Sequence, residues 1–142
     1  MKLLDVNILV EAHREDAPHH GAIRDWLAAE MKSYSGVGVS ELVLSGFLRV
    51  VTHPRVFREP TPLAEAIEFV EDFRARGSVR IAVPGSEHWS IFVKLLSTFE
   101  ATGNRIPDAY HAALAIEYGY EWASLDRGFA RYAPLMWRHP LD

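Results

Sequence analysis

Asp5, Glu41, Asp108 and Asp126 are the side chains of this chain best placed for chemistry, because each carboxylate stands where an apolar run gives way to a loop or a helix. Asp5 interrupts the opening run Lys2-Leu-Leu-Asp5-Val-Asn7-Ile-Leu-Val10, and Glu41 follows Gly36-Val-Gly-Val39. Asp108 follows Ile106-Pro107, and Asp126 closes Trp122-Ala-Ser-Leu125. Junctions of this kind are where open parallel sheets build their binding crevices. Four acids gathered in one cleft repel one another unless hard cations sit between them, so the pattern points to a divalent-metal centre. Asp5 is the sharpest signal, since a carboxylate within an apolar strand is costly unless paired, hydrogen-bonded or metal-bound. Glu41 and Asp108 have an alternative purpose, as acids in a helical first turn that stabilise the macrodipole. Asp126, before Arg127-Gly128, is equally a turn residue. Their joint placement carries the reading.

The neighbours support this pattern without deciding it. Asn7 is two residues beyond Asp5, in position either to hydrogen-bond its carboxylate or simply to cap a helix. Ser124 shares a strand face with Asp126 and could orient an attacking water or merely fill space. His111 is three residues after Asp108 on one helix face, a substrate contact or a partly buried histidine. Glu117, half a turn around that helix from Asp108, is left out of the site. Among the scattered arginines, Arg49 and Arg127 are the ones favoured for holding substrate phosphate. His19-His20 reads as a surface pair, and the four tryptophans fall within apolar patterns and read as core or interface.

Strands alternating with helices must position these groups. Lys2 to Val6, Tyr34 to Val39, Val79 to Val83, Glu121 to Leu125 and Leu135 to Arg138 read as strands, the first a continuous apolar run suited to burial on both faces. Helices are expected from about Ala22 to Met31, from Glu41 to Thr52 capped by Ser40, and from Thr61-Pro62 to Gly77. Two more follow, from Glu87 to Ala101 capped by Ser86, and from Pro107 to near Gly119. The alternation predicts an α/β fold, a mainly parallel sheet flanked by helices on both faces. Arg55 to Pro60 is the one polar stretch suited to a mobile loop.

Length and composition bound the rest. The chain has 142 residues, 49% apolar and 24% charged, the profile of one soluble globular domain. It contains no cysteine, which excludes disulfides and thiolate zinc sites and fits a cytoplasmic location. Asp5 and Asn7 break the opening apolar run too early for a signal peptide, and no run approaches the roughly 20 residues of a membrane span. The formal charge is -4, yet 19 acids less the four candidates leaves 15 against 15 Lys plus Arg. A metal-loaded site would therefore not repel a polyanion.

The chain resembles the PIN-domain nucleases, and within them the VapC-type toxins of bacterial toxin–antitoxin pairs. The likeness is carried by Leu3-Leu-Asp5-Val-Asn7, Val39-Ser-Glu41-Leu, Ile106-Pro-Asp108-Ala-Tyr-His-Ala-Ala-Leu-Ala115 and Ser124-Leu-Asp126-Arg-Gly-Phe129. Gly46-Phe-Leu-Arg-Val-Val-Thr-His-Pro54 looks like one toxin subgroup. The resemblance implies a single three-layer domain over residues 1–142 with a five-stranded sheet. It implies that Asp5, Glu41, Asp108 and Asp126 bind Mg²⁺ or Mn²⁺, with Ser124 as the usual hydroxyl beside the last acid. It further implies cleavage of RNA, a homodimer and a small antitoxin partner. Hydrolysis by metal-activated water would leave 5′-phosphate and 3′-hydroxyl ends.

Rival readings are a silent PIN-like module that binds RNA or a partner, and an aspartyl-phosphate phosphatase, which lacks its second acid because Asn7 stands there. A serine hydrolase hinted at by Gly38-Val-Ser40 lacks the glycine its elbow needs, since Leu42 stands there. Electrostatics adds an expectation. Without metal, the protein should gain stability on mild acidification, and Asn at position 5, 108 or 126 should raise its melting temperature.

Overall fold

The computed structural model describes residues 1–142. Five short strands form one sheet: β1 (Lys2–Leu4), β2 (Val37–Val39), β3 (Val79–Ile81), β4 (Glu121–Ala123) and β5 (Trp137–Arg138). Their order is β3-β2-β1-β4-β5, and every pairing is parallel. Six helices connect them: α1 (Val6–His13), α2 (His20–Lys32), α3 (Glu41–Val51), α4 (Leu63–Arg74), α5 (His88–Phe99) and α6 (Arg105–Tyr118). A 3₁₀ turn covers Arg127–Arg131.

Handedness fixes the layers. Parallel crossovers are right-handed, so α1 to α4, which carry the chain from β1 outward to β3, cover one face. The return from β3 across to β4 puts α5 and α6 on the other. The order therefore reverses between β1 and β4. That switch point opens a crevice at the strands' carboxyl ends, where Asp5 and Ser124 emerge.

A single cluster of 28 buried apolar residues fills both interlayer spaces. Leu3, Leu4, Val37 and Val39 supply its centre, all buried, as a sheet covered on both faces requires. On one side α3 contributes Val43, Leu44, Phe47 and Val51 at helical spacing. On the other, Ala109, Ala112, Ala113 and Ala115 keep the surface of α6 small enough for close approach. Gly46 of α3 is required for packing, since a Cβ there would lie 2.8 Å from Cγ2 of Val6.

The strands are shorter than the sequence predicts, for identifiable reasons. β1 stops at Leu4 because Asp5, not Asn7, caps α1, its carboxylate accepting from the Val6 amide at 2.7 Å. β2 begins only at Val37, since Gly36 takes a left-handed turn with φ 64°. Ser40 caps α3 as expected, accepting from the Val43 amide. Thr61 does not cap α4; its hydroxyl instead meets the His13 ring and the Arg14 guanidinium, each at 3.2 Å. Ser86 does not cap α5 either. Glu117 reaches across from α6 and accepts from the Gly85 and Glu87 amides at 2.7 and 2.9 Å. Tertiary partners have displaced the local ones at both ends.

Candidate metal-dependent active site

Asp5 leaves the end of β1 into the crevice and is only 8% exposed. Its Oδ2 accepts from the Ser124 hydroxyl at 2.5 Å and from Asn7 Nδ2 at 3.1 Å. Asn7 also donates to Ser124 Oγ at 3.1 Å, and its Oδ1 accepts from the Leu125 amide at 3.2 Å. Ser124 Oγ in turn accepts from the Asp126 amide at 3.0 Å. The ends of β1 and β4 are thus tied by one polar network, in which the only proton of the fully buried Ser124 hydroxyl is committed to Asp5. Ser124 therefore holds a carboxylate rather than a water. Asn7 is neither a helix cap nor idle; it braces Asp5 against the β4 loop.

Asp108, in the first turn of α6, and Asp126, at the start of the 3₁₀ turn, stand near enough for their charges to act on Asp5. Burial is the main cause that raises the Asp5 pKa to about 6, against the Ser124 and Val6 hydrogen bonds that lower it; Asp108 and Asp126 raise it further. The half-buried Asp108 is also raised, by burial first and then by Asp126. Asp126 is exposed, and its Oδ1 accepts from the Gly128 amide at 2.8 Å.

No ion pair reaches Asp5, Asp108 or Asp126 within the chain. Two of them desolvated by burial and all three offering only hard oxygen donors, the aspartates suit Mg²⁺ or Mn²⁺ in chemistry. In the side-chain positions of this structure no three acids or imidazoles converge closely enough to hold one ion.

Glu41 stands apart. It caps the far side of the crevice at the start of α3, is exposed, and pairs with Arg74 of α4 at 2.8 Å. Its charge does not figure among those acting on Asp5 or Asp108. Arg127, expected to meet phosphate, is held by both carboxylate oxygens of Asp142 at 2.9 and 2.7 Å. The cations whose charges reach Asp108 are Arg131 and Arg105. A signal for them was present: Arg105 precedes Asp108 by three residues, one helical turn, and Arg131 lies one turn beyond Arg127. Arg49 lines a groove between α3 and α6 beside the acids, together with His111. A larger hollow of about 440 Å³ lies elsewhere, around His13, Arg14 and Glu65. Its Arg14 is already engaged by Asp16, the Glu59 carbonyl and Thr61, so the hollow offers no free cation.

A parallel α/β sheet with acids at its switch point defines a class of fold and site, and comparison makes the class specific. The PIN domain family model matches residues 2–135, and the chain belongs to that family. It is 44% identical over 142 residues to ribonuclease VapC43 of Mycobacterium tuberculosis, covering 100% of this chain and 97% of that protein. In architecture it is similar to VapBC2 from Rickettsia felis, crystallised bound to a DNA fragment from its promoter, with a TM-score of 0.74 at 18% identity over 96% of each chain. It is also similar to VapC20 of M. tuberculosis, a sarcin-ricin-loop-cleaving toxin, with a TM-score of 0.68 at 15% identity over 96% of this chain and 99% of that one.

Proposed function

We propose that this protein is a divalent-metal-dependent endoribonuclease and the toxin of a type II toxin–antitoxin pair, with Asp5, Asp108 and Asp126 as its central acids and Glu41 completing the set. The observation that carries the reading is the buried Asp5, fixed by Ser124 and Asn7 at the switch point and within reach of the charges of two further aspartates, none of the three held in an ion pair. The relatives' names, VapC43 as a ribonuclease above all, support RNA as the substrate.

When bound, Mg²⁺ or Mn²⁺ would neutralise phosphodiester charge and acidify an attacking water. The chain's own residues supply the rest. Asp5 holds a fixed donor oxygen, oriented by Ser124 and Asn7. Asp108, from the first turn of α6, and Asp126, from the start of the 3₁₀ turn, bring adjustable donors. Arg105 and Arg131, near Asp108, supply positive charge for the flanking phosphates. Glu41 joins by leaving Arg74, an exposed, solvent-screened pair that is easily broken.

The reading takes residues 1–142 as one nuclease domain, acting in the cytoplasm as a homodimer restrained by a cognate antitoxin. No helix is long and apolar enough to cross a membrane, and one continuous core joins all the layers. Purified protein should cleave single-stranded RNA with Mg²⁺ or Mn²⁺ and stop in EDTA, and its expression alone should arrest bacterial growth while Asp5→Asn does not. RNA binding without metal-dependent cleavage would instead establish the silent-module alternative.

A further inference from the structure

Beside the acids, the facing sides of α3 and α6 enclose a groove of about 370 Å³ that the chemistry above does not use. Its floor includes Val6, next to Asp5, and its rim includes Pro107, next to Asp108, so it opens directly from the metal crevice. One wall is aromatic and rigid. Tyr110 packs edge-on against His88 at 4.3 Å and against Phe92 at 5.4 Å between ring centroids, and the His88 ring bonds the Tyr110 carbonyl at 3.0 Å. The opposite wall, along α3, carries Ser45 and Arg49 one turn apart. Arg49 takes part in none of the chain's ion pairs.

The buried His111 also lines this groove, its ring stacked on Trp122 at 5.1 Å and 14°. Its Nδ1 is buried with no hydrogen-bond partner. Buried polar groups are nearly always satisfied, and the His111 ring bonds nothing else in the chain, so it is uncommitted where it lines the groove. Burial, with a smaller contribution from His88, lowers the His111 pKa to about 4 and keeps the ring neutral, with one donor and one acceptor nitrogen.

Resting on the nuclease reading, we infer that the α3–α6 groove binds one unstacked nucleobase of the RNA strand next to the scissile phosphate, and so sets the sequence preference of cleavage. An aromatic wall gives the base a stacking surface. Ser45 and His111 offer hydrogen-bonding groups for its edge, and Arg49 reaches the adjoining phosphate. The volume suits a base with part of its ribose. A purely apolar protein segment would leave the Arg49 guanidinium and the uncommitted His111 ring without partners, which disfavours such a segment as occupant.

The test separates the groove from the catalysis. A random-sequence single-stranded oligoribonucleotide is crosslinked by ultraviolet light to the full-length protein in EDTA, and adducts are mapped by mass spectrometry. In parallel the same pool is cut with Mg²⁺ and the ends are sequenced. Adducts should fall on the peptide containing Tyr110 and should drop about tenfold or more in Ser45→Trp, whose exposed position lets the ring plug the groove without disturbing the core. Arg49→Ala, which removes the contact to the adjoining phosphate, should weaken crosslinking and slow cleavage across the whole pool alike, whereas Ser45→Trp should flatten the base preference at one position next to the cut. Groove adducts without metal-dependent cleavage would support this site and overturn the nuclease reading. Adducts confined to other surfaces, or absent altogether, would overturn the groove and leave it to a protein segment. A base preference unchanged in Ser45→Trp would also overturn it.

Discussion

The two banks of the crevice are built in opposite ways. On the β1–β4 bank, Asp5, Ser124, Asn7 and the Asp126 amide form a closed network with a carboxylate 8% exposed. On the β2 bank, Glu41 has a side chain 68% exposed and is tethered only to Arg74. A buried, hydrogen-bonded acid keeps its geometry whether or not a cation is present, while an exposed one finds it on demand. The difference teaches that this site has one fixed anchor and several adjustable donors, and each bank can be broken separately.

The largest effect belongs to the central acids. Asp5→Asn and Asp108→Asn should each lower the rate of RNA cleavage by about a thousandfold or more, as several kcal/mol of charge stabilisation are lost. Steady-state cleavage of a fluorescent oligoribonucleotide by purified variants measures it. On the adjustable bank, Glu41→Gln should cost only about tenfold. Arg74→Ala, which releases Glu41, should leave cleavage at or slightly above the parent rate. A loss in Arg74→Ala as large as that in Asp5→Asn would erase the distinction between the banks.

Bracing comes next. Asn7→Ala removes three hydrogen bonds, two of which tie the start of α1 to the end of β4, and leaves the Leu125 amide without its partner. Chemical denaturation should show a loss of about 1–3 kcal/mol. The same truncation at Arg127, exposed and paired with Asp142, should leave the denaturation midpoint unchanged within error.

Titration gives the smallest and most discriminating effect. In EDTA, the raised Asp5 pKa favours the folded state at low pH; that contribution is full below 3.8 and lost as pH rises through about 6. His111 works the other way. Its pKa is lowered from 6.5 to about 4, so its contribution is full above 6.5 and lost as pH falls through about 4. The windows overlap with opposite signs, and the downward shift of His13 adds to the loss. The acid-induced gain expected from the carboxylates alone is therefore cancelled. Thermal melts should be nearly flat between pH 6.5 and 5 for the parent, falling with acidification in Asp5→Asn and rising in His111→Gln.

The structure also divides the Asn variants. Asp108 makes no side-chain hydrogen bond that an amide would lose, so Asp108→Asn should raise the metal-free melting temperature. Asp5→Asn should not, because an amide there sets a donor against the Ser124 hydroxyl and Asn7.

Much of this was legible in the chain itself. The alternation of apolar runs with capped helices specifies the parallel sheet, and an acid within the run Lys2–Val10 signals Asp5. Long-range partners were not legible. Nothing near Glu41 announces Arg74, 33 positions away, nor does Arg127 announce Asp142. Glu117, set aside for facing away from Asp108, proved to be the cap for α5, a role that only the packing of α6 on α5 creates. Helix starts followed the same rule. Ser40 caps as its position suggests, whereas Thr61 was drawn away by Arg14 and His13.

The central claim is that Asp5, Asp108 and Asp126 jointly hold a divalent cation that cleaves RNA. Titrating Mn²⁺ into the full-length protein, with bound metal followed by electron paramagnetic resonance and RNA cleavage followed in the same samples, tests it most directly. The account predicts that binding and cleavage rise together in the parent, that both are lost in Asp5→Asn and Asp108→Asn, and that both are only weakened in Glu41→Gln. Cleavage by purified Asp5→Asn at the parent rate, or parent-level Mn²⁺ binding in the Asp5→Asn and Asp108→Asn variants, would contradict it.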